Sequence, residues 1–433
     1  VRITASLAIL AASVAALLGL IALVRQYGQR WDWSPEVQRK CVHVAIGLYA
    51  LTLPLLFDAR WPVVALILIA LALMLVLRTP ASRRSGLGAA IHSVERRSAG
   101  DIWLALAIGF VFLRAGDVYI LYALPIAVIA LSDAAAALTG TTYGRRRFAI
   151  EGGVKSWEGV IAFFAVTWIL AMVMLLLLTE VPRANVVMLG LTIAAFGATV
   201  EAVSWRGLDN LFVPICIHLF LAGYLNAAPV DLAWLAAAFF AALLAIALLT
   251  PWLKLSVHAS RALVVAIFTF LGAAGLYGTV LPIVVMATHL IARKVAPCRS
   301  VYSDLDLIAT LCAAGLIWFF VGETIGTSAI NLYNLSLAGM VLGYGLIVAG
   351  RRRWIAPIAL AIVFALYQVL VALGPAYGRW FDGLAWLAIA SLALVALVLL
   401  ARARWFERWR APRLAAIASL VPMTGYLTHM VMR

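Results

Sequence analysis

The stretch Glu158–Thr179, EGVIAFFAVTWILAMVMLLLLT, decides the fold. After Glu158 it holds no ionisable side chain. Crossing the hydrocarbon core of a bilayer takes about 20 apolar residues of helix. Only a helix or a closed barrel satisfies its own backbone groups in lipid. This stretch therefore predicts a spanning helix. Dividing the rest of the chain at charges and at Pro/Gly breaks gives sixteen apolar stretches, some short enough to be half-helices. The expectation is an all-α, polytopic integral membrane protein with about 14–16 transmembrane or half-membrane helices. The first stretch, residues 1–24, reads as a retained helix, because the basic segment 27–40 leads straight into another apolar run.

The composition agrees. The chain has 433 residues, 66% hydrophobic and 12% charged. A soluble globular protein is about 45–50% apolar and about 25% charged. The apolar excess must face acyl chains. A net charge of +15 raises the question of nucleic acid, but the basic residues collect in loops rather than on one soluble face. Alternate connections hold 27 of the 33 Lys and Arg residues, and the other side holds Arg2, Arg60, Arg114, Arg183, Arg379 and Arg433. Basic loops stay cytoplasmic, so both termini are expected outside the cytoplasm, in a membrane of the bacterial inner type. The four cysteines (Cys41, Cys216, Cys298 and Cys312) lie far apart with no zinc-ligand spacing. No internal repeat is evident.

Charge inside or at the ends of spanning helices is expensive and marks function. Asp133 lies about seven residues before Gly140, which is roughly 10 Å from the expected helix end. The following segment, residues 140–157, carries Gly140, Gly144, Arg145, Arg146, Arg147, Lys155 and Ser156, and leads into Glu158. Glycines let backbone approach anionic oxygens, the basic residues supply charge, and a helix N-terminus favours phosphate. Asp133 and Glu158 would suit a Mg²⁺ that bridges phosphate oxygens. Lys155 and Glu158, three apart, would equally suit a surface pair. The segment is not a Walker A loop, since Lys155 follows Val154.

Two further clusters fall on the same expected side. Arg39, Lys40 and His43 open the second stretch, with Arg39 and His43 on one helix face. Glu201, Arg206, Asp209 and Asn210 flank a short turn. There Asp209 or Asn210 would cap the next helix, or serve as a metal contact or a base for a hydroxyl. Arg96 and Arg97 lie in another basic loop of that side.

These runs resemble the phytol kinase and dolichol kinase (polyprenol kinase) family. The resemblance rests on Arg39-Lys40-x-x-His43, Asp133 with its glycine-rich basic sequel, Lys155-Ser156-Trp157-Glu158-Gly159, and Glu201 with Arg206-Gly207-Leu208-Asp209-Asn210. It covers about residues 35–226. It implies an all-helical membrane enzyme that moves the γ-phosphoryl group of a nucleoside triphosphate, typically CTP, to the hydroxyl of an isoprenoid alcohol, with Mg²⁺. It implies that Asp133, Lys155, Glu158 and Asp209 carry the active site, with Asp133, Glu158 and Asp209 on the metal. Gly140, Gly144, Arg145, Arg146, Lys155 and Ser156 would bind nucleotide, and Arg39, Lys40, His43, Arg97, Glu201 and Asn210 would support them. The division expected is an N-terminal helix and linker over 1–34, a kinase-like membrane domain over 35–228, and a multi-span domain without an assigned role over 229–433. Its partners would be the bilayer, the alcohol drawn from it and a cytoplasmic nucleotide, with no nucleic acid.

Phosphatidate cytidylyltransferases are similar around the Asp and Lys-x-x-Glu-Gly region, and a CDP-lipid product is the first alternative. Their usual closing signature is missing here. A transporter is the second alternative. His289, Glu323 and Asn331 in the C-terminal half would then line a cavity or sit at helix ends.

Overall fold

Residues 2–77, 99–324, 329–350, 352–374 and 384–431 are described by a computed structural model of the chain. Arg96 and Arg97 lie outside the described residues. The chain is an all-α polytopic membrane protein. Ten helices are long and apolar enough to cross a membrane, and three shorter apolar helices accompany them among the described residues. The sixteen apolar stretches thus do not all become full-length spans.

Two compact units divide the chain, Val1–Ala238 and Phe239–Arg433. In the first, the order is α1 (Arg2–Arg30), α2 (Pro35–Leu51), α3 (Leu53–Leu56), α4 (Arg60–Leu77), α5 (Gly100–Ala115) and α6 (Tyr119–Ala127). A π-helical segment (Val128–Ser132) follows, then α7 (Asp133–Tyr143), β1 (Arg147–Ile150), β2 (Gly153–Ser156), α8 (Trp157–Leu178), α9 (Arg183–Val203) and α10 (Asp209–Tyr224). The boundary falls within α11 (Pro229–Leu253). The second unit continues with α12 (Val257–Ala274), α13 (Tyr277–Val295), α14 (Ser303–Thr324), α15 (Ile330–Ala349), α16 (Ala356–Leu373), α17 (Leu384–Ala401) and α18 (Arg410–Val431).

The helix that opened the reading shows how lipid and protein faces separate. On α8 the buried residues are Gly159, Phe163, Thr167, Ala171 and Leu175. They recur every fourth position, so they form one stripe. The rest of α8 is open, as at Ile161 and Ile169. The stripe lies against α9, where small residues admit close packing. A Cβ on Gly190 would stand 3.5 Å from the Trp168 side chain, and one on Gly197 would stand 3.5 Å from that of Phe163. Ser156 starts the helix by accepting the Gly159 N–H at 3.1 Å.

The centre of the first unit is a continuous helical stretch, Tyr119–Tyr143, whose apolar part is largely buried. It passes through Asp133 and beyond Gly140, so Gly140 is helical rather than the start of a loop. Within it the π-helical segment inserts an extra residue just before Asp133, a distortion that recurs at functional sites. Gly47 on α2 faces that segment, and a Cβ there would strike Ala130. The missing side chain lets α2 approach closely.

Candidate active site

Five elements bring their charges to one place. Ser34 accepts the Val37 N–H at 3.3 Å and Pro35 occupies the first turn, so α2 begins well before the expected apolar run. Lys40 and His43 therefore lie on a helix that Gly47 holds against the π segment. Lys40 Nζ donates to Asp133 Oδ2 at 2.5 Å, and both side chains are buried. His43 Nε2 lies 3.0 Å from the Ile129 carbonyl and 3.4 Å from Asp133 Oδ2. A carbonyl only accepts, so Nε2 carries the proton. The Ile129 carbonyl belongs to the π segment. The distorted backbone and the buried carboxylate are thus held by one histidine.

The segment after α7 is not an irregular loop. Residues 147–150 and 153–156 form an antiparallel hairpin, with Arg147 opposite Ser156 and Ile150 opposite Gly153. Glu151 and Gly152 make its two-residue turn, and Gly152 takes φ +72°, where a side chain is disfavoured. The hairpin carries Lys155 back over the end of α9. Lys155 Nζ donates to Glu201 Oε1 at 2.6 Å and to the Glu201 carbonyl, and lies 4.0 Å from Asp209 Oδ2. Burial pulls the Lys155 ammonium down, but the Glu201 and Asp209 carboxylates outweigh it and raise its pKa above the ordinary lysine value.

The α9–α10 turn is bent by Arg206 (φ +54°) and Gly207 (φ +79°). Arg206 also reaches the hairpin, pairing with the buried Glu151 at 2.5 Å. Asp209 starts α10 without capping it. The cap position is Leu208, which makes no side-chain bond, and Asp209 Oδ1 accepts only the neighbouring Asn210 N–H at 3.1 Å. Asn210 is buried. The Asp209 carboxylate is left facing the cluster, and it is the most exposed of the three acids there.

Asp133, Glu201 and Asp209 each offer an oxygen, and the three atoms lie within 4.8 Å of one another. Glu201 Oε2 is buried with no hydrogen-bond partner. Three convergent carboxylates with an unmet oxygen are what a hard cation such as Mg²⁺ takes. The residues fit the metal, but the set differs from the expected Asp133, Glu158 and Asp209. Glu158 accepts the Arg146 N–H, at 3.0 Å on Oε1 and 3.3 Å on Oε2, across the base of the hairpin. Nor does Lys155 pair with Glu158, three residues on. It pairs with Glu201, brought near by folding.

The remaining expected residues divide. Arg145, Arg146 and Arg147 are exposed before and at the start of the hairpin. Arg39 pairs with Glu36, three residues back on α2, at 2.6 Å. Gly140 and Gly144 face Ser156. A Cβ on Gly140 would come within 2.9 Å of Ser156 Oγ, and one on Gly159 within 2.8 Å of the Ala136 carbonyl. In this geometry these glycines let α7, the hairpin and α8 approach closely. Glu151 was missed by sequence reasoning. Its one signal is an acid set before two glycines in an otherwise basic stretch.

No family model matches the chain, and no solved structure matches it. A curated protein does. The phytol kinase of Synechocystis sp. is 34% identical over 205 residues, which is 46% of this chain and 85% of that protein. Identity of that extent, over nearly all of the relative, makes this chain a member of the phytol kinase family.

Proposed function

We propose that this chain is a membrane-embedded lipid-alcohol kinase that transfers the γ-phosphoryl group of a nucleoside triphosphate, CTP by preference, to the hydroxyl of an isoprenoid alcohol. The observation that carries the reading is the group of three carboxylates, Asp133, Glu201 and Asp209, set beside Lys40 and Lys155 within an apolar helical unit. Acids and ammonium groups at that depth are retained for function rather than stability. The similarity to the Synechocystis phytol kinase supports the reaction class.

In this reading the alcohol enters from the bilayer with its hydroxyl towards Asp209. The alcohol oxygen attacks the γ-phosphorus and its proton passes to Asp209. The bond from the γ-phosphorus to the bridging oxygen breaks, and the nucleoside diphosphate leaves with that electron pair. Lys155 and the exposed Arg145, Arg146 and Arg147 hold the phosphates. Asp133 and Glu201, with Asp209, would hold Mg²⁺, which offsets phosphate charge when bound. Lys40 and His43 hold the Asp133 carboxylate in place. Most of the rate enhancement comes from positioning and charge stabilisation. Loops holding 27 of the 33 basic residues would place this site on the cytoplasmic face.

The test is one assay of purified protein with Mg²⁺, a panel of isoprenoid alcohols, and CTP or ATP labelled in the α- or the γ-phosphate. Label from the γ-phosphate should enter the lipid, and Asp133→Asn or Lys155→Ala should abolish the transfer while the protein still inserts. Label entering from the α-phosphate would make the enzyme a cytidylyltransferase. Undiminished activity in both variants would overturn the site.

A further inference from the structure

The second unit has a polar interior of its own, which the kinase reading does not use. Its central helix, α15, is buried along most of its length. Near the end of α15 stands Tyr344, fully buried, with no hydrogen-bond partner for its hydroxyl. Its ring meets His289 of α13 edge-on at 5.3 Å. His289 is 1% exposed, and its Nδ1 is also without a partner. Arg410, the first residue of α18, is 5% exposed. Its Nε donates to the Phe406 carbonyl, but its Nη1 meets nothing. Gly343, next to Tyr344, packs against α18 one turn beyond Arg410: a Cβ there would stand 2.6 Å from the Leu414 side chain. Three helices thus turn unmet polar atoms towards one end of the bundle.

The acid already present is spoken for. Asp304 accepts from His289 Nε2 at 2.8 Å and pairs with Arg293. Arg293 also donates to the Leu253 carbonyl and, at 3.0 Å, to that of Lys254. What remains unmet is chiefly donors, a guanidinium N–H and a phenol. Buried donors without acceptors are rare in native proteins, and an unseen ion, ligand or water is the usual reason. The first turn of α18 carries no acidic residue. Its N-terminal amides add positive potential at the same end. Arg402, Arg404, Arg408 and Arg413 surround that helix start in the sequence. A guanidinium, a hydroxyl and a helix N-terminus together match the oxygens of a phosphate group.

We propose that the second unit holds a phosphate-binding site whose donors are Arg410 and Tyr344, lying beside the His289 ring that Asp304 fixes. The proposal stands apart from the kinase reading, because none of these residues belongs to the carboxylate group of the first unit. The phosphate is carried either by a water-soluble ion or by a lipid monophosphate.

The test measures thermal unfolding of the full chain in nanodiscs with inorganic phosphate, with farnesyl monophosphate, or with farnesol as a control. It is run in an Asp209→Asn background so that the first site is impaired throughout. A ligand bound only by the folded state raises the unfolding temperature in a saturable way. A saturable rise is expected with phosphate, with the monophosphate, or with both, and this pattern identifies the source. Tyr344→Phe should leave the ligand-free unfolding temperature equal or higher, since the lost hydroxyl had no partner, yet weaken the ligand's effect about tenfold. Arg410→Gln should remove the effect. The proposal is overturned if neither phosphate compound raises the unfolding temperature, as a site holding water alone would behave. It is equally overturned if farnesol matches its monophosphate, or if the rise survives in both variants.

Discussion

The two units bury charge in opposite ways. In the first, acids dominate. Asp133, Glu201 and Asp209 come from the central helical stretch, α9 and α10, and are met by Lys40, His43 and Lys155 from α2 and the hairpin. In the second, Asp304 is shared by Arg293 and His289, and the Tyr344 hydroxyl and an Arg410 N–H stand without a partner at the same end. Both clusters lie beside a largely buried central helix, so depth does not distinguish them. The balance of sign does. An acid-rich group draws cations and the phosphates they accompany, whereas a donor-rich group draws an anion directly.

Breaking the first cluster should have the largest effect. Asp133→Asn leaves the Lys40 ammonium buried without its counter-charge. Removing one partner of a buried pair costs about 3–5 kcal/mol, so the unfolding temperature should fall and the kinase reaction should be lost. The double variant Lys40→Met/Asp133→Asn should regain much of the stability and none of the activity. If stability is not regained, the pair is not the reason for the loss. The metal set is tested next, by comparing Glu201→Gln with Glu158→Gln. The first should lower Mg²⁺-dependent turnover by about 10–100-fold, the range seen when support of a metal site is removed. The second should do less, since Glu158 is occupied with the Arg146 amide. The reverse ranking would restore Glu158 as a ligand and remove Glu201.

The fold was legible because runs such as 158–179 admit one reading in lipid. The helix boundaries were less so. A rule that stops spans at charges misplaces them wherever a charge is paired in space, and Lys40 is such a place: it lies inside α2, which starts at Pro35. The hairpin was hidden because its strands are only four residues long and most of its neighbours are glycines or arginines. The site residues were visible as residue types, since acids, lysines and a histidine in an apolar chain stand out. Their pairing was not. Glu158 looked like the partner of Lys155 by proximity in sequence, whereas Glu201 is 46 residues away. Lys40 stood in the sequence only beside Arg39 and His43, yet it is buried against an aspartate 93 residues further on. Partners at such separations are set by helix packing, which local spacing does not encode.

Packing itself predicts a more moderate effect. In Gly47→Ala the new methyl meets the Ala130 side chain and comes within 3.3 Å of its Cα. Overpacking of this kind costs about 1–3 kcal/mol. The shift of α2 should also draw Lys40 and His43 off Asp133. Turnover should fall further than nucleotide affinity, measured as kcat against KM, because the groups proposed to bind nucleotide lie on and just before the hairpin, away from α2. An unchanged kcat would show that α2 does not position Asp133.

The smallest expected effect is an absence in the pH profile. The pKa of Lys155 is raised above the free value in the folded chain, with the Glu201 and Asp209 carboxylates outweighing burial. A base raised in this way contributes stability that is fully present below its unfolded value and is lost only as pH rises through the folded value. For Lys155 that window lies above the ordinary lysine range, which is near pH 10.4. Lys155 should therefore add no inflection to the activity or the unfolding temperature between about pH 6 and 9. Any basic-limb inflection in that range should persist in Lys155→Arg, which keeps the charge at every accessible pH. An inflection that vanishes in Lys155→Arg would mean that the ammonium titrates near neutrality. The carboxylates around it would then be too weakly charged, or too distant, to form the acid-rich cluster on which the comparison between the two units rests.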